Sequence, residues 1–329
     1  MSEPSPAVLM ESVTPSFWSA VNVSLRRWFD TSASTGLESG AERIDWLRTS
    51  PFVAMHLACV AVFWVGVSRI AIAIAAALYV VRMFALTGFY HRYFAHRTFR
   101  TSRALQFVFA CIGASCVQRG PLWWAAHHRN HHQHADTERD PHSPRVHGFL
   151  WSHMGWFLTP AGFRTDWKRI PDFARYQELR WLDRYDILVP IALASALYGL
   201  GSLLAHYAPG LGTSGGQLLT WGFFVSTVVL FHATVTINSL AHRFGTRRFP
   251  TRDDSRNNPW LALLTFGEGW HNNHHFFPGS VRQGFRWWEI DLTYYGLRLM
   301  AALRLVHNLK PVPARVMQQA GFIIQRTRG

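Results

Sequence analysis

Residues 70–96 read IAIAIAAALYVVRMFALTGFYHRYFAH, and this stretch decides the class of fold. From Ile70 to about Phe89 it is apolar and long enough to cross a bilayer, which takes about 20 residues. At its far end it delivers two histidines, His91 and His96. Arg82 is the one charge inside the run, and at that depth a guanidinium must snorkel or face protein. A second apolar run, Pro51 to about Val67, precedes it, with only Ser68 and Arg69 at the break. The two form a tight hairpin whose outer ends share one side. Two later runs, Ile187 to about Leu204 and Leu218 to about Ile237, repeat the arrangement across the short loop His206–Gly216. The expected fold is therefore all-α and integral to a membrane: four transmembrane helices in two hairpins (51–67, 70–89, 187–204, 218–237) with a helical cytoplasmic cap. Leu105–Ala126 is also apolar, but Gln118, Arg119, Gly120 and Pro121 interrupt it, which predicts an interfacial or buried helix rather than a fifth span.

Composition agrees. Of 329 residues, 49% are hydrophobic and only 16% charged, with 15 Trp and 24 Phe; a soluble domain carries roughly 25% charge, and aromatics gather at membrane interfaces. The net charge of +14 falls in segments flanking the apolar runs. It therefore reads as inside-positive loops beside anionic lipid rather than as a nucleic-acid surface. Arg43 and Arg48 precede the first span, and 91–186 and the segment after His242 are rich in Arg, so both termini and the histidine motifs are expected on the cytoplasmic side of a bacterial inner membrane. Residues 1–45 are Ser/Thr-rich, lack the basic-then-apolar order of a signal peptide, and read as a mobile tail. Residues 46–310 read as one domain and 311–329 as a C-terminal tail. Cys59, Cys111 and Cys116 form no CxxC pair and read as core residues.

The chemistry is carried by histidine, of which there are 18. Besides His91-Arg-Tyr-Phe-Ala-His96 there are His128-Arg-Asn-His131-His132, His271-Asn-Asn-His274-His275 and Asn238-Ser-Leu-Ala-His242. On a helix HxxHH aims three imidazoles at one side, and Asn238 and His242 would share a face. His91 and His96, five apart, would not; a helix end or bend must fall between them. His127 could pair with His131 at i,i+4, so spacing alone leaves the register of the second cluster open. Any one of these histidines taken alone reads as a packing residue. Together they are too many for one tetrahedral ion, and two six-coordinate metals with open positions fit better. Iron suits such a donor set where oxygen chemistry is intended. His142, His147, His153, His206, His232 and His307 read as ordinary or, at most, supporting residues. Gly210-Leu-Gly212-Thr-Ser-Gly215 matches GxGxxG, but it lies between spans with no acidic residue before Asp253, and reads as a hairpin-tip loop.

At these residues the chain resembles the membrane fatty acyl desaturase family, in its stearoyl-CoA delta-9 desaturase-like, bacterial form. The matching blocks are 91–98, 124–132, Asp140-Pro-His142-Ser143, 152–156, 238–242 and 267–278. The resemblance implies a di-iron centre in the cap. One iron would take His91, His96, His128, His132 and His275. The other would take His131, His242, His271 and His274, with Asn238 reaching it through water. The family favours His128 over His127. It also implies an oxygen-dependent reaction introducing a cis double bond, at delta-9 of a saturated long-chain acyl-CoA, with Gln118, Trp124 and Thr234 around a bent acyl tunnel. Side-chain acid–base chemistry cannot remove hydrogen from a methylene, so the oxidant must come from the metals.

Animal members carry a basic and an acidic residue just before the second cluster, where this chain has Ala126 and His127. That leaves Arg119, Lys168 and Arg169 as candidates for an acyl-CoA headgroup and keeps a lipid-bound or carrier-protein-bound acyl chain open. The chain has too few cysteines for an iron–sulfur cluster and no appended haem motif. A separate electron donor is implied: ferredoxin, rubredoxin, a haem carrier or a flavin reductase. Two other readings are a related di-iron membrane hydroxylase, distinguished by an alcohol product, and a metal transporter, which would need more polar groups inside the spans.

Overall fold

The computed structural model describes residues 26–34 and 43–319. Most of the expected N-terminal tail, 1–25 and 35–42, and residues 320–329 lie outside the described residues.

Among the described residues four helices are long and apolar enough to cross a membrane. α1 (Trp46–Val65) starts five residues earlier than the apolar run, because Asp45 caps it by accepting the Arg48 N–H. Gly66, at φ 67°, ends it, and Ser68 caps α2 (Arg69–Ala95) by accepting the Ala71 N–H. α2 runs past Phe89 and carries His91 within it. A two-residue strand, β1 (Arg100–Thr101), follows, and then the short apolar helix α3 (Arg103–Ala114). α3 has 12 residues, too few to span, as expected. α4 (Pro121–His134) carries the second cluster. α5 (Gln177–Arg184) leads into α6 (Leu188–Tyr207), which pairs with α7 (Gly215–Ser239). α8 (His271–Phe276) carries the third cluster; α9 (Leu292–Ala302) and β2 (Val306–His307) close the cap.

Among the described residues the all-α expectation holds apart from one two-stranded pairing and the isolated bridges Thr246–Asn257 and Asn257–Trp270. β1 and β2 are antiparallel, Arg100 opposite His307, which ties the segment leaving α2 to the end of the cap. The GxGxxG loop joins α6 to α7, with no strand near it. Its last glycine serves packing: a Cβ on Gly215 would stand 2.4 Å from Ser202 Oγ. The outer faces of the spans expose Phe63, Trp64, Val81, Leu203 and Tyr207, side chains suited to lipid. Arg82 faces protein. It is fully buried and donates to Thr227 Oγ1 at 2.6 Å, to the Ser226 hydroxyl and to the Leu78 carbonyl. Cys116 is buried and Cys59 and Cys111 half-buried, all three as free thiols. In the segment expected as a C-terminal tail, Ala314–Gln319 is helical, and Val316 packs on the cluster of Phe249 and Phe285.

The main core fills the junction of spans and cap, with Met83, Leu86, Phe89, Phe109, Leu122, Leu179, Leu182 and Leu297 among its buried members. It fixes α4 against the end of α2. The N-terminus of α4 has no side-chain cap of its own; Asp183 on α5 supplies one, accepting the Leu122 and Trp123 N–H groups at 3.0 and 2.8 Å. Arg129 then forks onto Asp172 at 2.8 and 2.9 Å and reaches the Phe94 and Ala95 carbonyls. The second histidine cluster is thereby locked to the first.

Candidate metal centre

The histidines separated by five positions meet because the helix widens. Over Ala85–Ala95 α2 takes up i→i+5 hydrogen bonding, and the His96 N–H reaches the His91 carbonyl at 3.1 Å. Such widened turns recur at functional sites. The rings of His91 and His96 stand 4.8 Å apart, a closeness that an ordinary α-helix would not give them.

All nine expected histidines converge in two groups that can hold metal. Donor nitrogens of His91, His96, His128, His132 and His274 lie within 4.8 Å of one another, as do those of His131, His242, His271 and His275. This exchanges two residues relative to the sequence expectation: His274 joins the first group and His275 the second. Helical periodicity supplies the reason. At about 100° per residue, positions i and i+4 diverge by about 40°, whereas i+3 and i+4 diverge by about 100°. In each HxxHH the outer pair therefore stays together and the middle histidine crosses over. His128 and His132 serve one group and His131 the other; His271 and His275 serve one group and His274 the other. The residues between point outward and anchor. Asn272 Oδ1 accepts the Arg248 and Phe249 N–H groups at 2.7 Å each, and Asn273 Nδ2 donates to the Gln283 carbonyl at 2.9 Å.

His127 stays outside both groups. Its ring packs against Trp123 and Trp156, and Nε2 donates to the Arg164 carbonyl at 3.0 Å. In the register that spacing left open, His128 and not His127 falls in the group. The face expected to be shared by Asn238 and His242 ends early, because α7 stops at Ser239 and His242 lies in the following turn.

Four histidines are oriented by carboxylates on Nδ1: His131 by Asp140 at 2.9 Å, His242 by Asp136 at 2.8 Å, His275 by Asp253 at 2.9 Å, and His91 by Glu268. Sequence reasoning missed this set. Glu268 and Asp140 sit inside blocks quoted for the family resemblance, so a signal existed for them; nothing local marks Asp136 or Asp253. Burial pushes the carboxyls of Asp136, Asp140 and Asp253 up, but the hydrogen bonds and charges of their histidine partners and nearby N–H groups outweigh it, and all three fall below the usual range. His142 also belongs here. It stacks on His131 at 4.4 Å, with Nδ1 3.4 Å from Asp140.

The donor chemistry fits cations. His131 and His275 each commit the Nδ1 proton to a carboxylate, so each turns a lone pair inward, and their Nε2 atoms stand 3.2 Å apart. Four further Nε2–Nε2 contacts fall between 2.8 and 3.1 Å: His91–His274, His96–His128, His132–His274 and His242–His271. Nitrogens about 2.1 Å from one metal would be about 3.0 Å apart at right angles and about 3.4 Å apart in a tetrahedron. The observed spacings are short enough for the nitrogens of each group to serve as neighbouring ligands of one ion. Burial, reinforced by the neighbouring imidazoles, holds His96, His128, His132, His271 and His274 well below the ordinary histidine pKa, leaving them neutral and ready to donate.

That depression makes the metal-stripped protein acid-sensitive. The unfolded chain binds protons at about 6.5, above the folded values, so stability present above that pH is lost as pH falls below it. Each such histidine contributes up to about 1.4 kcal/mol per pH unit. After chelation, thermal unfolding should move to markedly lower temperature between roughly pH 6.5 and 5, and metal-loaded protein should resist. A pH-independent unfolding temperature for stripped protein would contradict the buried neutral state.

A cavity of about 280 Å³ approaches the first group, lined by Phe52, Trp124, His128, Phe231 and Thr234. Trp124 stacks on His128, and Gln118 Nε2 donates to Thr234 Oγ1 at 3.2 Å, so the three expected tunnel residues share this cavity. Asn238 lines it too.

Four candidate spans, a cap and two buried polyhistidine groups able to hold metal, beside an apolar cavity, define a membrane protein with a candidate metal centre at the wall of an apolar binding space. A family profile described as fatty acid desaturase matches residues 43–307, and the chain belongs to that family. It is 36% identical over 271 residues to an sn-1 stearoyl-lipid 9-desaturase of Anabaena variabilis, covering 82% of this chain and 94% of that one. It is 38% identical over 229 residues to an sn-2 palmitoyl-lipid 9-desaturase of a Nostoc species, covering 68% and 75%. It is also 36% identical over 305 residues to an acyl-CoA 5-desaturase of Anemone leveillei, covering 87% and 88%.

Proposed function

We propose that the protein uses O2 to introduce a cis double bond at delta-9 of a saturated long-chain acyl group, and that two iron ions occupy the histidine groups. His91, His96, His128, His132 and His274 would hold one iron, and His131, His242, His271 and His275 the other, with Asn238 reaching the second through water. The observation that carries this reading is the cavity whose wall includes both Trp124 and the metal-group residue His128. When bound, the iron pair supplies an oxidant able to take hydrogen from an unactivated methylene. The chain's own residues position and seal. Gln118 and Thr234 brace the cavity wall by their mutual hydrogen bond, Trp124 confines the acyl chain beside His128, and the carboxylates fix which imidazole nitrogen faces inward.

The acyl carrier we favour is a glycerolipid. Two of the relatives above are named for lipid-linked acyl chains, and the cavity draws residues from the first two turns of α1 and the first turn of α6, Pro51, Phe52 and Pro190, near the helix ends where a bilayer places its ester groups. Acyl-CoA is the second reading, supported by the Anemone relative. For it, Arg119 lines the cavity but is paired with Asp186 at 2.7 Å, and Arg169 is paired with Asp166 at 3.0 Å. Cap and termini face the cytoplasm of a bacterial inner membrane in this reading, and electrons come from a separate carrier.

Expression in a host lacking the corresponding monoene, with iron and a competent donor present, should yield a new cis monoene by gas chromatography–mass spectrometry with bond-position derivatisation. Headgroup-resolved lipid analysis after a short pulse should show it first in glycerolipid rather than in acyl-CoA. An alcohol would favour the hydroxylase reading, and an unchanged profile would overturn the proposal.

A further inference from the structure

A second opening reaches the first histidine group from another direction. It is a polar basin of about 590 Å³ between the end of α2, the 172–176 segment and the 307–310 segment. His96 lines it, and His96 Nε2 stands 2.8 Å from Nε2 of His128, which lines the acyl cavity. The two openings thus meet the same metal group through different imidazoles, one apolar and one polar.

The rim of the basin is cationic. Arg97, Arg100, Arg175 and Lys310 line it, against the single carboxylate of Asp172. Asp172 is already engaged by the Arg129 fork, with Arg97 3.4 Å away. Arg175 leans on Tyr176, donating to its hydroxyl at 2.9 Å. Arg100 and Lys310 are exposed and have no ion-pair partner among the described residues. Unpaired cations gathered around one opening create a local positive field that steers an oppositely charged protein.

Desaturation needs such a visitor. Removing two hydrogens from the acyl chain with one O2, to form two waters, consumes two electrons and two protons from outside; the carrier is oxidised and O2 reduced. We infer that this basin is the docking site of an acidic one-electron carrier protein, whose electrons enter by way of His96 while the acyl chain occupies the opposite opening. This inference rests on the desaturase reading above. Carrier and substrate would then not compete for space, and a carrier can dock twice per turnover with the acyl chain in place.

The test uses the full-length, iron-loaded protein in detergent, with an acidic plant-type [2Fe–2S] ferredoxin as probe and a basic c-type cytochrome as counter-probe. Biolayer interferometry should show ferredoxin binding that weakens steeply with NaCl, and no comparable cytochrome binding. Arg100→Glu/Lys310→Glu should raise Kd, and the KM for ferredoxin in monoene formation, about tenfold or more while kcat at saturating ferredoxin holds. Arg100→Gln/Lys310→Gln should give a smaller rise in the same direction, and Arg69→Glu at the far hairpin none. Iron content and melting temperature verify that each variant is folded. Unchanged Kd and salt dependence in the charge-reversed protein would overturn the inference. So would a loss confined to binding of phosphatidylserine vesicles, which would assign the basin to lipid headgroups. If the unmodified protein makes no monoene with any donor, the desaturase reading fails, and the binding measurement still decides the docking site.

Discussion

Pairing His128→Ala with His274→Ala should leave about one iron per chain, whereas pairing His128→Ala with His275→Ala should leave close to none. The first pair removes two donors from one group, which is already crippled by either loss. The second pair removes one donor from each group. Each single substitution should lower iron from about two to about one per chain and reduce monoene formation at least about a hundredfold, since neither metal can work alone. Iron by inductively coupled plasma mass spectrometry on purified protein, beside product analysis, gives both numbers. The reverse ranking of the two double variants would restore the partition in which His275 belongs with His128. Equal depletion by both would mean that the two groups load cooperatively and the partition has no functional meaning.

That partition shows where the sequence could be read further than it was. The crossing of His131 and His274 follows from the 3.6-residue period alone, applied identically to both HxxHH motifs. The assignment implied by resemblance overrode a symmetry that the spacing already contained. The four spans were legible because lipid demands long apolar runs; α1 and α2 start earlier than their runs where Asp45 and Ser68 cap them, and α2 continues past Phe89 to Ala95. The widening of α2 over Ala85–Ala95 was not legible: nothing in its composition announces i→i+5 bonding, although the five-residue step from His91 to His96 demanded some departure from the α-helix. Least legible were the carboxylates. Asp136 meets His242 across 106 positions and Asp253 meets His275 across 22, and an acidic residue in a polar loop has no periodic signature.

The largest effect on stability should come from a residue that is neither a histidine nor in the cavity. Arg92→Met should lower the melting temperature more than any single histidine substitution. Arg92 is 1% exposed and joins Glu268 at 3.1 Å to Asp291 at 2.9 Å, with a further bond to the Val281 carbonyl at 2.8 Å. Asp291 in turn accepts the Gln283 and Tyr294 N–H groups, the latter capping α9. Removing the guanidinium leaves two buried carboxylates uncompensated, a loss of about 3–5 kcal/mol. Lysine restores charge without the planar fork and should recover only part. Adding Glu268→Gln and Asp291→Asn to Arg92→Met removes the stranded charges and should recover more than lysine does. Because Glu268 also orients His91, the charge-neutral triple variant, though more stable than Arg92→Met, should lose about 10–100-fold in affinity for the first metal, whereas Arg92→Met, which keeps that carboxylate, should lose less. The two readouts therefore separate: melting temperature follows charge compensation across the trio, and iron content follows the carboxylate behind His91. A melting temperature in Arg92→Met equal to that of the unmodified protein would show that the cap does not depend on this trio.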